Sequence, residues 1–263
     1  MRPTRLIAMS THSIVACMLL MVSTGHALAS SACTATSGRD TLPLVELYTS
    51  EGCDSCPAAD RWLSSNFGAT STEAIALAFH VDYWDRLGWK DRFASPRYTE
   101  RQRRAMLANA ATFVYTPQVL LQGRDHREWR SVRLPQALAA IRKGRAGVFI
   151  AAQAVVDGDE VSVSASVSRS DAAPRDAAVA FAYLDSGLVS EVAAGENRGA
   201  RLVHDHVVRD LTTRPLDAAT QSFKVKLHRP AERGASARVV IFVQDARRGE
   251  VLQAMALSLS DCS

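Results

Sequence analysis

Leu44-Val45-Glu46-Leu47-Tyr48, then Thr49-Ser50-Glu51-Gly52, then Cys53-Asp54-Ser55-Cys56-Pro57: this run decides the fold of the front half of the chain. The first five residues are a short apolar stretch that fits a buried strand, and the next four read as a turn. A helix should open at the Cys-Xaa-Xaa-Cys. Ala59, Leu63 and Phe67, joined by Trp62, share one face at helical spacing, Gly68 stops the segment, and Pro57 has no N–H to lose in a first turn. Cys53 would stand at the helix N-terminus, where unpaired backbone N–H groups and the macrodipole favour a thiolate, so it is the expected attacking sulfur. Cys56, one turn inside, is placed to resolve the mixed disulfide. Asp54 opposes ionisation of its neighbour, whereas the Ser55 hydroxyl can donate to it, so the redox potential is left open.

Working outward, Ala74 to Val81 reads as a second buried strand. Ser95-Pro96 is an N-cap and first-turn proline that opens a helix through about Ala110, with Arg101, Arg103 and Arg104 expected on its wet side. Val119-Leu120-Leu121 makes a strand, Gly123 turns it, Glu128-Trp129-Arg130 is expected to pair back antiparallel, and Pro135 to Lys143 closes the half as a helix ended by Gly144. Strand, helix, strand, helix, strand, strand, helix is the order of a thioredoxin fold. Tyr115-Thr116-Pro117 stands just before the third strand, where thioredoxin-like proteins carry a cis-proline beside the dithiol. There the backbone of Thr116, with Pro117, would hold an extended substrate segment as an added strand; the alternative is an ordinary trans proline at an edge strand.

Phe79-His80-Val81-Asp82-Tyr83-Trp84-Asp85-Arg86-Leu87-Gly88-Trp89-Lys90-Asp91 is a polar and aromatic stretch, long for a plain connection. Together with Val45 to Cys53 and Val114-Tyr115-Thr116-Pro117-Gln118-Val119, it resembles the secreted bacterial proteins of domain-of-unknown-function family 1223. The resemblance covers nearly the whole mature chain and implies a thioredoxin-like domain in an exported protein, with no substrate attached. Two features depart from the thioredoxin pattern: Glu51-Gly52 replaces the usual Trp before the first cysteine, and the inner pair is Asp-Ser. Both leave open whether the protein oxidises, reduces or isomerises. Trp84 and Trp89 either roof a groove near Cys53 and select an apolar partner segment, with Asp82 or His80 moving protons, or only pack the insertion onto the domain.

From about Arg145 the helical period disappears. Val148 to Val156, Val161 to Val167, Val179 to Leu184, Leu188 to Val192, Leu202 to Val208, Phe223 to Leu227, Val239 to Val243 and Val251 to Leu259 read as strands, with Asp157-Gly158-Asp159 as a hairpin turn. Close-spaced short strands suggest a β-sandwich that binds or scaffolds. The expected class is therefore α/β, a thioredoxin-like domain (residues 30–144) followed by an all-β sandwich-like domain (residues 145–263).

Residues 1–29 read as a signal peptide: Arg2 and Arg5, an apolar run from Ile14 to Val22 too short to span a bilayer, then Ala27-Leu28-Ala29. A periplasmic or secreted protein with no membrane attachment after cleavage is expected. Cys17 leaves with the signal, and Cys33, Cys53, Cys56 and Cys262 remain in a compartment where disulfides persist. Pairing Cys53 with Cys56 and Cys33 with Cys262 is favoured; the second bridge would add up to about 5 kcal/mol in the chain-entropy model, unless those two cysteines lie free in frayed tails. At 263 residues, 47% hydrophobic and 22% charged, the chain can build a real core. Its scattered net charge of +4 argues against nucleic acid as a partner.

These readings converge on an exported thiol–disulfide oxidoreductase that exchanges disulfides with a protein or small-molecule thiol through Cys53 and Cys56. No cofactor and no metal ligand are assigned. The competing expectations are a periplasmic copper-handling protein using the same two thiolates, and a binding module in which Cys53–Cys56 is a structural bridge. His204-Asp205-His206 places two imidazoles on one face of a strand, but both are expected to be solvated, and His126 and His228 are lone surface residues. Structural zinc lacks a second Cys-Xaa-Xaa-Cys, and the loops of nucleotide-binding proteins and the Gly-Xaa-Ser-Xaa-Gly of hydrolases are absent from the sequence.

Overall fold

A computed structural model describes residues 32–68, 71, 73–260 and 262. The signal segment expected at residues 1–29 lies outside them. The fold is mixed α/β with strands dominant. The front half runs β1 (Cys33–Thr36), β2 (Leu44–Thr49), α1 (Cys56–Asn66), β3 (Ile75–His80), α2 (Pro96–Ala108), β4 (Gln118–Leu121), β5 (Arg124–Asp125) and α3 (Leu134–Arg142). The rest is strands: β6 (Val148–Asp157), β7 (Glu160–Arg169), β8 (Ala177–Ser186), β9 (Leu188–Glu191), β10 (Arg201–His204), β11 (Val207–Leu216), β12 (Thr220–His228), β13 (Ser236–Asp245) and β14 (Val251–Ser258).

Every residue of β2 and β3 is buried, the pattern of parallel strands covered on both faces, and the two pair in parallel with Leu47 opposite Ala78. On one face Val45, Leu47, Ala76 and Ala78 pack under Ala59 and Leu63 of α1 and Leu138 of α3. On the other, Tyr48, Leu77 and Phe79 meet Tyr98 of α2 together with Ala180, Ala182 and Phe242 from the second half. One eight-stranded sheet, ordered β14-β13-β8-β11-β3-β2-β4-β5, carries both halves. The link is the parallel contact of β3 with β11, where the Ala78 N–H donates to the His206 carbonyl at 2.8 Å. A four-stranded sheet, β1-β6-β7-β12, lies over the far end of the large one, and Ile150, Val163, Phe181 and Ile241 fill the space between them. β1, the first of the front-half elements, pairs not with its neighbours in sequence but with β6, and Cys33 is disulfide-bonded to Cys262 with Cα atoms 5.0 Å apart.

Four expectations need correction. Arg101 does not face water: its side chain is 11% exposed and bonds Glu46 Oε2 at 2.8 Å, stacked between Phe79 and Phe242. Glu46 lies in a fully buried strand and needs a cation, so α2 supplies one. Glu128-Trp129-Arg130 is a turn; the strand returning along β4 is the short β5, because the bend at Gln122-Gly123 (φ +52° and +77°) takes only two residues. The stretch Leu202 to Val208 is two strands, broken at His206, whose φ of +59° no strand accommodates. His204 and His206, expected in solvent, are both buried.

Candidate functional site

The site begins where β2 ends. Residues 50–55 cross from the sheet to α1, held by Cys53 N–H to Ser50 O and Cys56 N–H to Cys53 O, each 3.2 Å, and by Gly52 N–H to Ser50 Oγ at 3.1 Å. Ser55 is the N-cap residue, Cys56 opens the helix and Pro57 follows in the first turn. Cys53 and Cys56 form a disulfide with Cα atoms 5.4 Å apart, and both are fully buried. The Ser55 hydroxyl lies 3.5 Å from Cys53 Sγ.

The Thr116–Pro117 peptide bond is cis. Trp84 ties this segment to the cysteine loop: its indole N–H donates to Thr116 Oγ1 at 2.8 Å, and its Cβ stands 3.1 Å from where a side chain on Gly52 would begin. A side chain at Gly52 would require Trp84 to give way by a few tenths of an ångström. Trp84 thereby bridges Thr116 to Gly52, the residue that precedes Cys53. The other tryptophan of the insertion points behind the loop, where Trp89 donates its indole N–H to Glu51 Oε2 at 2.7 Å. Asp82 is bonded to Thr99 of α2, whose hydroxyl donates to its carboxylate and accepts from its N–H.

Glu51 is the most heavily bonded residue of the loop. Its amide donates to Asp91 Oδ2 (2.9 Å), its carbonyl accepts from Asn197 Nδ2 (2.8 Å), and its Oε1 lies 3.2 Å from His204 Nε2. Burial, the largest influence, works to raise its pKa and Asp91 adds repulsion, but the hydrogen bonds with His204, Ser190 and Trp89 together outweigh both, so the carboxyl sits below its ordinary value. Asp60 shares the Cys56 face of α1 one turn on, 3.9 Å from His204 Nδ1, and burial raises its pKa against the pull of His204 and His80. His80 and Asp91 pair at 2.6 Å. Burial opposes the His80 imidazolium, but the Asp91 carboxylate prevails, leaving His80 above and Asp91 below their usual values.

A loop between β9 and β10 closes over the front. Asn197 Nδ2 also donates to the Cys53 carbonyl at 2.8 Å, and Glu196 Oε2 accepts the Asp54 N–H at 3.1 Å. Gly195 presses on Trp89, with 3.2 Å from the position of an added Cβ to the tryptophan Cβ. Sequence reasoning sees Asn197-Arg198-Gly199 as a turn and misses its place over the cysteines, since some 145 residues separate it from them. Glu51, Asp60, Asp91 and Glu196 were missed as well; the legible signal was a carboxylate replacing the usual aromatic before the first cysteine. His206 belongs elsewhere: its Nδ1 accepts from Arg238 Nη2 at 2.6 Å, so the two imidazoles of His204-Asp205-His206 do not face one ligand. Among the described residues no cluster of three or more His, Cys, Asp or Glu is arranged to hold a metal ion.

Among solved structures, the chain is similar to protein AGR_C_4864 from Agrobacterium tumefaciens, at 28% identity and a TM-score of 0.56 over 84% of this chain and 96% of that one. HBP35 of Porphyromonas gingivalis shares the fold at 16% identity, with a TM-score of 0.60 over 86% of this chain and 78% of the other. No curated protein matches the chain. The model of a family described as a protein of unknown function, DUF1223, matches residues 44–244, and the chain belongs to that family.

Proposed function

We propose that the protein is an exported thiol–disulfide oxidoreductase whose front half is a thioredoxin-like unit. The observation that carries this reading is a Cys53–Cys56 pair at the start of α1, joined through Trp84 to a cis Thr116–Pro117 bond. The order β2-α1-β3-α2-β4-β5-α3 supports it, and two disulfides fit an oxidising compartment. In the reduced enzyme the Cys53 thiolate attacks a partner disulfide, forming a mixed disulfide and expelling one partner thiolate, which takes up a proton. Cys56 then loses its proton and attacks Cys53 Sγ, closing the intramolecular bridge and releasing the second partner thiolate. Two electrons and two protons pass to the partner. Thr116, Pro117 and Trp84 would hold the partner's backbone alongside.

A second reading has its own observation: both cysteines are fully buried, which suits an inert bridge within a binding module. Catalysis requires that a partner displace Trp84 or the loop over residues 195–199. One experiment separates the two. With a protein disulfide such as insulin as substrate, we expect Cys53→Ser to abolish thiol-dependent reduction and Cys56→Ser to accumulate a mixed disulfide visible on a non-reducing gel. If neither variant changes turnover and the native bridge survives excess dithiothreitol, the inert bridge stands.

A further inference from the structure

We infer that the Cys53–Cys56 couple is a reductant, and that Glu196, contributed from the second half of the chain, sets this direction. The inference rests on the oxidoreductase reading. A Cys-Xaa-Xaa-Cys pair oxidises strongly when its reduced form is stabilised, as happens when helix-start amides or a nearby cation favour the thiolate. Here both sources are countered. Glu196 Oε2 takes the Asp54 N–H at 3.1 Å, occupying an amide of the helix start and placing a carboxylate beside the residue that follows Cys53. Asp54 adds its own exposed carboxylate at the same corner. The Cys56 N–H is spent on the Cys53 carbonyl, and the Cys53 N–H on Ser50.

Further charges approach from every side. Glu51 and Asp91 lie behind the loop, Asp60 on α1, and His80 and His204 on β3 and β10, with His80 paired to Asp91 and His204 to Glu51. No lysine or arginine bonds to residues 51–56 among the described residues. What remains for a Cys53 thiolate is chiefly the Ser55 hydroxyl, 3.5 Å from the sulfur. Carboxylates disfavour the ionised dithiol and so favour the disulfide, which is the signature of a couple that gives electrons away. The substrate class is then a disulfide to be reduced. Each turnover leaves Cys53–Cys56 oxidised, so the reaction that feeds this one must be the donation of two electrons and two protons by an upstream protein dithiol of lower potential.

Glu196 is exposed, so its substitution should leave the fold intact. Reduced and oxidised fractions are measured at equilibrium with glutathione and with dithiothreitol between pH 7 and 9.5, by alkylation and mass spectrometry, for the full mature chain and for Glu196→Gln and Glu196→Lys. The wild-type bridge should persist in glutathione buffers and yield only to the dithiol. Glu196→Gln should weaken the preference for the disulfide about threefold and Glu196→Lys about tenfold, the latter corresponding to ~30 mV, with the difference widening as pH rises and more thiolate forms. A couple that reduces normally but ignores both substitutions, or that becomes more reducing in them, overturns the assignment while leaving the oxidoreductase reading in place. A native bridge that no dithiol reduces removes both.

Discussion

His206 shows how a single backbone angle decides a residue's chemistry. Its φ of +59° turns the chain between β10 and β11 and swings the imidazole inward, where a guanidinium N–H of Arg238 points at Nδ1. A ring accepting that hydrogen bond carries its proton on the other nitrogen and stays neutral. Burial first, then Arg238, pushes the His206 pKa down to about 4, with Asp205 pulling weakly the other way. In the unfolded chain the group titrates near 6.5. Between those values the unfolded state binds a proton that the folded state refuses, so stability falls as pH drops from about 6.5 to 4, by at most ~3 kcal/mol from this residue. The buried His80–Asp91 pair has the opposite sign on its histidine side: the stability from the raised His80 pKa is present below the unfolded value and lost as pH rises through the folded one. We expect His206→Asn, which keeps a side chain tolerant of positive φ, to flatten the acid limb of stability in urea titrations at pH 7, 5.5 and 4.5. An unchanged slope would remove His206 from the account. None of this was legible in the sequence, where Leu202 to Val208 alternates like a single strand and offers no glycine or proline to mark the break.

At the scale of elements, the β4–β5 turn carries more than its own strands. Gln122 Oε1 accepts the Leu44 N–H at 2.7 Å, and its Nε2 donates to the Val251 carbonyl at 2.9 Å, stitching the turn to the start of β2 and to β14. Gly123 meets the turn between β13 and β14 so closely that an added Cβ would fall 2.0 Å from the Gly249 carbonyl oxygen, and its φ is +77°. Gly123→Ala therefore has to move two backbones. We expect it to cost at least about 2 kcal/mol and to lower Tm by roughly 4–8 °C, whereas Gly158→Ala, at φ +59° with open space around it, should cost about half as much. Calorimetry on the two variants makes the comparison, and equal losses would mean that the contact with Gly249 bears no load. The sequence showed Gly123 as a turn because glycine between apolar strands is a local signal. It could not show what lies against that turn, nor that Arg101 turns inward, since both depend on elements remote in the chain. Most strands and all three α-helices were legible for the same local reason. β1 and β5 were not, being four and two residues long with little apolar content.

For the whole molecule, the question is whether the change of texture near Arg145 separates two independently stable parts. It falls between α3 and β6, yet the core between α2 and the large sheet draws Tyr48, Leu77 and Phe79 from before it and Ala182, Val240 and Phe242 from after it. The buried Arg101–Glu46 pair is closed off by Phe242 and by Gln244, whose Oε1 accepts from Arg101 Nη2 at 3.1 Å. The cysteine loop is likewise finished by Glu196, Asn197 and His204. A chain ending at Gly144 would keep a buried strand pair with one face bare and a desolvated ion pair opened to water, losing burial worth roughly 25 cal/mol for each Å² of apolar surface uncovered. We therefore expect residues 30–144 alone to lack cooperative unfolding, and the chain from residue 30 to 263 to unfold in one step. All four tryptophans, Trp62, Trp84, Trp89 and Trp129, lie before Gly144, whereas strands after it supply most of the β signal. Tryptophan fluorescence and far-UV circular dichroism thus report on different halves. Coincident urea transitions would establish that the cysteine loop is coupled to the entire sheet; a fluorescence transition preceding the loss of β signal would mean that the front half opens alone, and that the Cys53–Cys56 pair can be exposed without unfolding the strands behind it.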